Sequence, residues 1–257
     1  MKEKVLSKEL EVATSAVLKI GALQLQHFKS DLDVIRKSRK DLVSNADIEC
    51  QKLCTTLLNS SFDYDILSEE RRIKVLPKTD YFWIVDPIDG THNYISGLPL
   101  FGVSIALAST NDFLLGVIYI PVLDELYSAI KGQGAFLNGK KIEVSKNEDM
   151  EKGMINFDNQ LHNDNNLLDK YKKIIDASFT TRILGSAIFD LGLVSSGAID
   201  ARILSKTKVF DFAAGIVIVE ESGGKVTDFR GQFPTVSSTE VIASNGHIHE
   251  LLLELMK

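Results

Sequence analysis

Six consecutive residues, Asp86-Pro87-Ile88-Asp89-Gly90-Thr91, set two carboxylates three positions apart behind the apolar run Tyr81-Phe82-Trp83-Ile84-Val85. Pro87 fixes the backbone between the acids, and Gly90 permits a left-handed turn or the close approach of a ligand. Thr91 offers a hydroxyl and an N–H at the start of a candidate short helix. Carboxylates and a loop carbonyl are the oxygen donors that Mg2+ takes, and N–H groups at a helix start suit a phosphate. An Asp-x-x-Asp beside Pro and Gly is also an ordinary turn and cap pattern. Here, however, Asp47, Glu69 and Asp211 also stand at the ends of apolar segments, where a purely structural chain gains little from a charge. Together the acids point to metal-assisted chemistry on a phosphate ester.

Apolar spacing assigns the elements that must position them. Residues 5–29 carry Val5, Leu6, Leu10, Ala13, Val17 and Ile20 at helical spacing, and a second helix is expected from Asn45 through Leu58. Asp65–Ser68 reads as a short strand leading to Glu69-Glu70. Tyr81–Val85 is a buried strand that Pro87 and Gly90 are expected to end. Val103–Ala108, Leu114–Ile120 and Glu125–Ile130 form an expected antiparallel meander, followed by an Asn138-Gly139 hairpin turn. Asn147–Asn166, polar and rich in Asn and Asp, reads as a boundary between two halves, 1–146 and 147–257, of a single unit. Beyond it, helices are expected over Ser186–Ser196, Phe212–Ser222 and His247–Met256. Strands are expected over Ile199–Leu204, Lys225–Asp228 and Val241–Ser244. The sum is a layered α/β chain rather than a simple βαβ repeat.

Composition bounds the function. The 257 residues suffice for a sizeable core, and 44% hydrophobic with 25% charged residues is ordinary for a globular chain. Thirty-five acidic against 29 basic residues give a net charge of −6, which argues against nucleic acid and anionic membranes as partners. No apolar run approaches the length needed to span a bilayer, and the charged N-terminus lacks a signal-peptide core. The two cysteines, Cys50 and Cys54, sit one helical turn apart and read as small buried groups, so a reducing, cytoplasmic setting is expected.

The same residues resemble the inositol monophosphatase family, within the lithium-sensitive, metal-dependent phosphatase superfamily. Trp83 through Tyr94, continued by Gly97-Leu98-Pro99-Leu100-Phe101-Gly102, is similar to the family's first signature. Phe210-Asp211-Phe212-Ala213-Ala214-Gly215, running on to Glu221-Ser222-Gly223-Gly224, is similar to its second. Asp41-Leu42-Val43-Ser44 with Asp47, Ser68-Glu69-Glu70 and Gly185-Ser186-Ala187 match the landmarks between, and the likeness spans about residues 5–250. It implies the alternating α/β/α/β/α sandwich shared with fructose-1,6-bisphosphatase, a homodimer, and two or three Mg2+ ions per site. One ion would be held by Glu69, Asp86 and the Ile88 carbonyl. A second would be held by Asp86, Asp89 and Asp211, and a third, weaker one would lie near Glu69. Gly90 and Thr91, beside Asp89, would bind the substrate phosphate, and Gly185 and Ser186 would wall the substrate. Thr91 with Asp47 would orient or deprotonate the attacking water, with Glu69 also in the catalytic set.

The physics agrees with that implication. A phosphate monoester brings negative charge to a nucleophile that is itself becoming anionic, and two cations neutralise the attacking and leaving oxygens. No Gly-x-Ser-x-Gly elbow is present, and the cysteines lie in an apolar helix rather than a basic anion-binding loop. Among the remaining residues, His92 reads as an exposed loop side chain, Lys206 and Lys208 as solvated, and Trp83 as core. Arg182 is left open between a substrate or subunit contact and a surface role. Two departures from the family pattern stand out. Phe210 replaces a usual Trp, and Leu204 occupies the place where members specialised for inositol phosphate carry an acid that contacts the sugar hydroxyls. The expected function is therefore hydrolysis of a small phosphorylated metabolite, inositol-1-phosphate-like or a sugar phosphate. 3′-Phosphoadenosine 5′-phosphate and fructose 1,6-bisphosphate are alternative substrates, and an inactive metabolite-binding homologue is the non-enzymatic alternative.

Overall fold

A computed structural model describes residues 6–30, 32–38, 41–69, 79–158 and 164–257; Val5 and Glu70 lie outside the described residues. The first element, α1 (Ser7–His27), buries Ala13, Ala16, Val17, Ile20 and Gln24 along one stripe. A two-stranded ribbon, β1 (Val34–Ser38) and β2 (Asp41–Ser44), leads into α2 (Asn45–Asn59). The start of α2 is fixed by a capping box: the Ser44 N–H and hydroxyl both donate to Asp47 Oδ2, at 2.7 and 2.6 Å.

Seven strands form the larger sheet: β3 (Asp65–Ser68), β4 (Tyr81–Asp89), β5 (Gly102–Ser109), β6 (Asp112–Ile120), β7 (Glu125–Ile130), β8 (Ala135–Leu137) and β9 (Lys140–Lys141), in that spatial order. The expected meander is β5–β6–β7, antiparallel throughout. Asn138 and Gly139 both take positive φ, 49° and 75°, in the β8–β9 turn. Successive residues of β4 serve opposite cores: Phe82 and Ile84 face one, Trp83 and Val85 the other. A sheet covered on both sides needs an unbroken apolar run, which is why this strand was so legible.

The second sheet, in the order β11 (Thr180–Arg182), β10 (Met154–Phe157), β12 (Ala201–Ser205), β14 (Glu240–Ser244), β13 (Lys225–Thr227), mixes parallel and antiparallel pairs. Between the sheets lie α5 (Ala187–Ser195) and α6 (Val209–Glu221), which pack on both. Helices α1 and α2 cover the outer face of the larger sheet, and α4 (Asn165–Ala177) and α7 (His249–Leu255) that of the smaller. The short α3 (Thr91–Ile95) follows β4 directly. The architecture is an α/β/α/β/α sandwich. Gly116 on β6 lets α6 come close, since a Cβ there would stand 2.2 Å from the Ala214 carbonyl oxygen.

Two expectations, on Pro87 and His92, need correction, and one strand was not expected. Pro87 does not end β4: the strand runs on to Asp89 through a bulge, pairing Asp86 with Ser104 and Asp89 with Gly102. The last β3 pairing is at Val85, so the missing Pro87 amide costs no ladder bond. The polar stretch Asn147–Asn166, of which 159–163 lie outside the described residues, contains the inner strand β10. Four residues, Met154-Ile155-Asn156-Phe157, were too short a signal inside that composition. His92 sits on α3 rather than in a loop.

Candidate active site

The carboxylates are delivered by element ends. Asp86 and Asp89 come from the bulged end of β4, and Asp211 from the first turn of α6. Ligand oxygens of these three residues lie within 4.8 Å of one another. Asp211 does for α6 what Asp47 does for α2: its Oδ2 accepts the Lys208 N–H at 2.8 Å and the Thr207 hydroxyl at 2.7 Å. In both residues one oxygen closes a helix start while the other is left for the site.

Asp47 Oδ1 accepts from the Thr91 hydroxyl at 3.3 Å, and that hydroxyl also lies 3.0 Å from the Ile88 carbonyl oxygen. Gly90, between Asp89 and α3, holds φ +80°. A Cβ there would be strained and would meet the Leu100 carbonyl oxygen at 2.8 Å, which makes glycine necessary. Ser186 caps α5, donates from its hydroxyl to Asp89 Oδ1, and is followed by the Ala187 N–H at 3.3 Å from Asp89 Oδ2. Glu69, just past β3, is not part of the three-carboxylate group; its Oε1 lies 3.3 Å from Lys208 Nζ.

Burial first, then the charges of Glu69, Asp89, Asp211 and Asp47, hold Asp86 well above the ordinary carboxylate range. Burial and then Asp211 push Asp89 up to about 8. Burial also raises Asp211, against the hydrogen bonds from Lys208 and Thr207. Among the described residues no lysine or arginine is ion-paired to any of the three. Like charges this close resist joint ionisation. A donor set made of carboxylate oxygens fits a hard divalent cation.

Asp89 and Asp211 open onto a cavity of about 510 Å³ that Gly185, Ser186, Leu204 and His92 also line. Arg182 lies elsewhere, exposed on β11 with Nη1 donating to the Thr181 carbonyl oxygen at 2.8 Å and to the Thr180 hydroxyl. Lys206 is ion-paired to Asp164 at 3.0 Å. Trp83, Cys50 and Cys54 are fully buried.

Several supporting residues escaped the sequence reading. Gln24 of α1 donates to the carbonyl oxygens of Pro87 and Gly102, at 2.8 and 3.2 Å, and so braces the β4 bulge. Asn93 ties the Leu100 and Leu184 carbonyls together, at 2.7 and 2.8 Å. Arg202 and Asp190 are charges placed inside apolar runs, a signal that was available; Asp158, in the Asn/Asp-rich stretch, carried none.

The inositol monophosphatase family model matches residues 5–257. The fructose-1,6-bisphosphatase/inositol-1-monophosphatase of Thermotoga maritima is 34% identical over 249 residues, covering 96% of this chain and 95% of that protein. The crystal structure of the extragenic suppressor protein suhB from Bartonella henselae superposes with a TM-score of 0.91 at 32% identity, over 98% of this chain and 99% of that one. An IMPase/NADP phosphatase complexed with Mg2+ and phosphate gives a TM-score of 0.87 at 28% identity, over 98% and 96% of the two chains. The chain belongs to the inositol monophosphatase family, whose members are phosphoric monoester hydrolases.

Proposed function

We propose that the chain is a Mg2+-dependent phosphatase that hydrolyses a small phosphate monoester, inositol-1-phosphate-like or a sugar phosphate. The observation that carries this reading is the convergence of Asp86, Asp89 and Asp211, from two distant segments, within 4.8 Å. These three, with Glu69 and the Ile88 carbonyl, are the groups that would hold Mg2+; the related structure complexed with Mg2+ and phosphate supports that choice of metal. When bound, the metal supplies charge neutralisation for the phosphoryl oxygens and acidifies the attacking water. The Gly90 and Thr91 amides orient the phosphate. The water gives its proton toward Thr91 Oγ1, whose own proton passes to Asp47 Oδ1 along the 3.3 Å contact. Ser44 holds the second Asp47 oxygen, so the acceptor cannot swing away. Gly185 and Ser186 wall the leaving group, and Ser186 keeps Asp89 oriented.

A homodimer belongs to the same proposal: Phe179, 75% exposed at the edge of the smaller sheet, and Ile183 offer an apolar surface for a second copy. Sedimentation of a Phe179→Asp variant as a smaller species than the native chain would support it. A reducing cytoplasmic setting fits the two free, buried thiols.

Phosphate release from inositol 1-phosphate, fructose 1,6-bisphosphate and 3′-phosphoadenosine 5′-phosphate, with and without Mg2+, tests the activity. Release from the first that requires Mg2+ is expected. Undiminished release in excess chelator contradicts the metal, and turnover of the nucleotide alone contradicts the substrate class.

A further inference from the structure

The cavity beside the carboxylates has a second charged wall. Arg202, on β12, has a side chain only 3% exposed. Its Nη2 is paired with Asp158 Oδ1, and its Nε lies 3.1 Å from Asp190 Oδ2. Asp190 is itself gripped by Asn156, whose Nδ2 donates to Oδ1 at 2.7 Å. Asp158 accepts the Ser205 N–H on its other oxygen at 2.9 Å and remains 18% exposed. Arg202 Nη1 is buried with no hydrogen-bond partner. Asp158, Arg202, Ser205 and Leu204 all line the cavity that Asp89 and Asp211 also border.

This wall has an acceptor, the part-exposed Asp158, but no free positive charge. One guanidinium is already shared between two carboxylates. Among the described residues lining the cavity, His92 is the only other basic side chain. A second phosphate on the substrate only accepts hydrogen bonds and would stand against the Asp158 carboxylate. A hydroxyl can donate as well as accept, so it can give its proton to the part-exposed Asp158 carboxylate. Leu204, 1% exposed, offers neither.

We infer that Asp158, positioned by Arg202 and the Ser205 amide, reads the leaving group, favouring a neutral polyhydroxylated alcohol and disfavouring one that carries a second phosphate. The inference rests on the phosphatase reading above and assigns to one carboxylate, Asp158, what the apolar Leu204 beside it cannot supply. Arg202 is then a positioning residue, and Asp190 holds it from behind.

The test is the isosteric change Asp158→Asn in the full chain with Mg2+. It is assayed on myo-inositol 1-phosphate, fructose 1,6-bisphosphate and p-nitrophenyl phosphate. The ratio of kcat/KM for the inositol ester to that for the aryl ester is expected to fall by about tenfold or more, through KM, because a site built to bond a hydroxyl discriminates strongly. The ratio of bisphosphate to inositol ester is expected to rise. Equal losses on all three esters would mark Asp158 as merely structural and overturn the inference, as would no change. The native chain gives an independent reading. It is expected to prefer inositol 1-phosphate to its analogues lacking single hydroxyls, and equal rates across that series would also overturn it. Absence of turnover on every ester by the native chain would contradict the phosphatase reading itself and remove this inference with it.

Discussion

Two groups of buried charge border one cavity, and the chain balances them in opposite ways. Around Arg202, a guanidinium is set between Asp158 and Asp190, and the remaining carboxylate oxygens find Asn156 and the Ser205 amide. Around Asp86, Asp89 and Asp211, three carboxylates face one another, and among the described residues no lysine or arginine is ion-paired to them. Both groups pay desolvation, which buried charge repays only with a partner. The first has its cation built into β12. The second has amides and hydroxyls that fix its carboxylates but, among the described residues, no ion-paired cation. The difference separates a wall that recognises from a centre that must recruit a cation before it can work.

The largest expected effect lies in the centre. Asp89→Asn or Asp211→Asn should lower kcat/KM by at least about 10³-fold with an unchanged circular dichroism spectrum, because each removes a charge that nothing else supplies. Activity retained in either variant takes that residue out of the proposed ligand set. Thr91→Ala should cost about 10²-fold in kcat with little change in KM, the size of a lost proton-transfer group. An equal loss in KM would make Thr91 a phosphate contact alone.

Stability sharpens the contrast, since the two groups should respond with opposite sign. Asp190→Ala leaves Arg202 half-paired in the interior and should destabilise the chain by about 3 kcal/mol. Asp89→Asn, measured in chelator at neutral pH, removes a buried carboxyl that the folded chain must keep protonated and should raise the urea midpoint of the metal-free chain. Movement of both midpoints in the same direction would break the comparison.

The smallest effect is on pH dependence. Burial and Asp211 push Asp89 up to about 8, from 3.8, so the folded metal-free chain keeps a proton that the unfolded chain gives up. That contribution is complete below the unfolded value and is lost as pH rises through about 8. Asp190, pushed up to about 6 by burial, acts in the same direction but is spent by then. His249, pushed down to about 4 from 6.5 by burial, acts the other way and only below its unfolded value. Between pH 6.5 and 8 the stability of the chelated protein should therefore fall, and Mg2+ should flatten the slope. A rise over that window would contradict the raised Asp89.

Legibility in the sequence followed the same physics. β4 to β7 were readable because a sheet buried on both faces needs continuous apolar residues, and the hairpin because Asn138-Gly139 tolerates positive φ. The acids of the centre could be singled out because they break off apolar runs at their ends. What brings them together was not readable: the bulge at Pro87 is set by Gln24, 63 residues away, and no spacing rule reports a contact of that separation. The capping roles of Asp47 and Asp211 were hidden for a different reason. A carboxylate at the third position of a helix looks the same whether one of its oxygens or both serve the backbone. Strand β10 and Asp158 were obscured by their polar surroundings, and with them half of the wall around Arg202.

The central claim is that the chain's own unbalanced carboxylates hold a divalent cation. Calorimetric titration of the chelated, desalted protein with Mg2+, beside the Asp89→Asn variant, addresses it without reference to any substrate. Saturable binding by the native chain, lost or much weakened in the variant and accompanied by proton release near pH 7, is the predicted result. No binding by the native chain, or equal binding by both proteins, would contradict it.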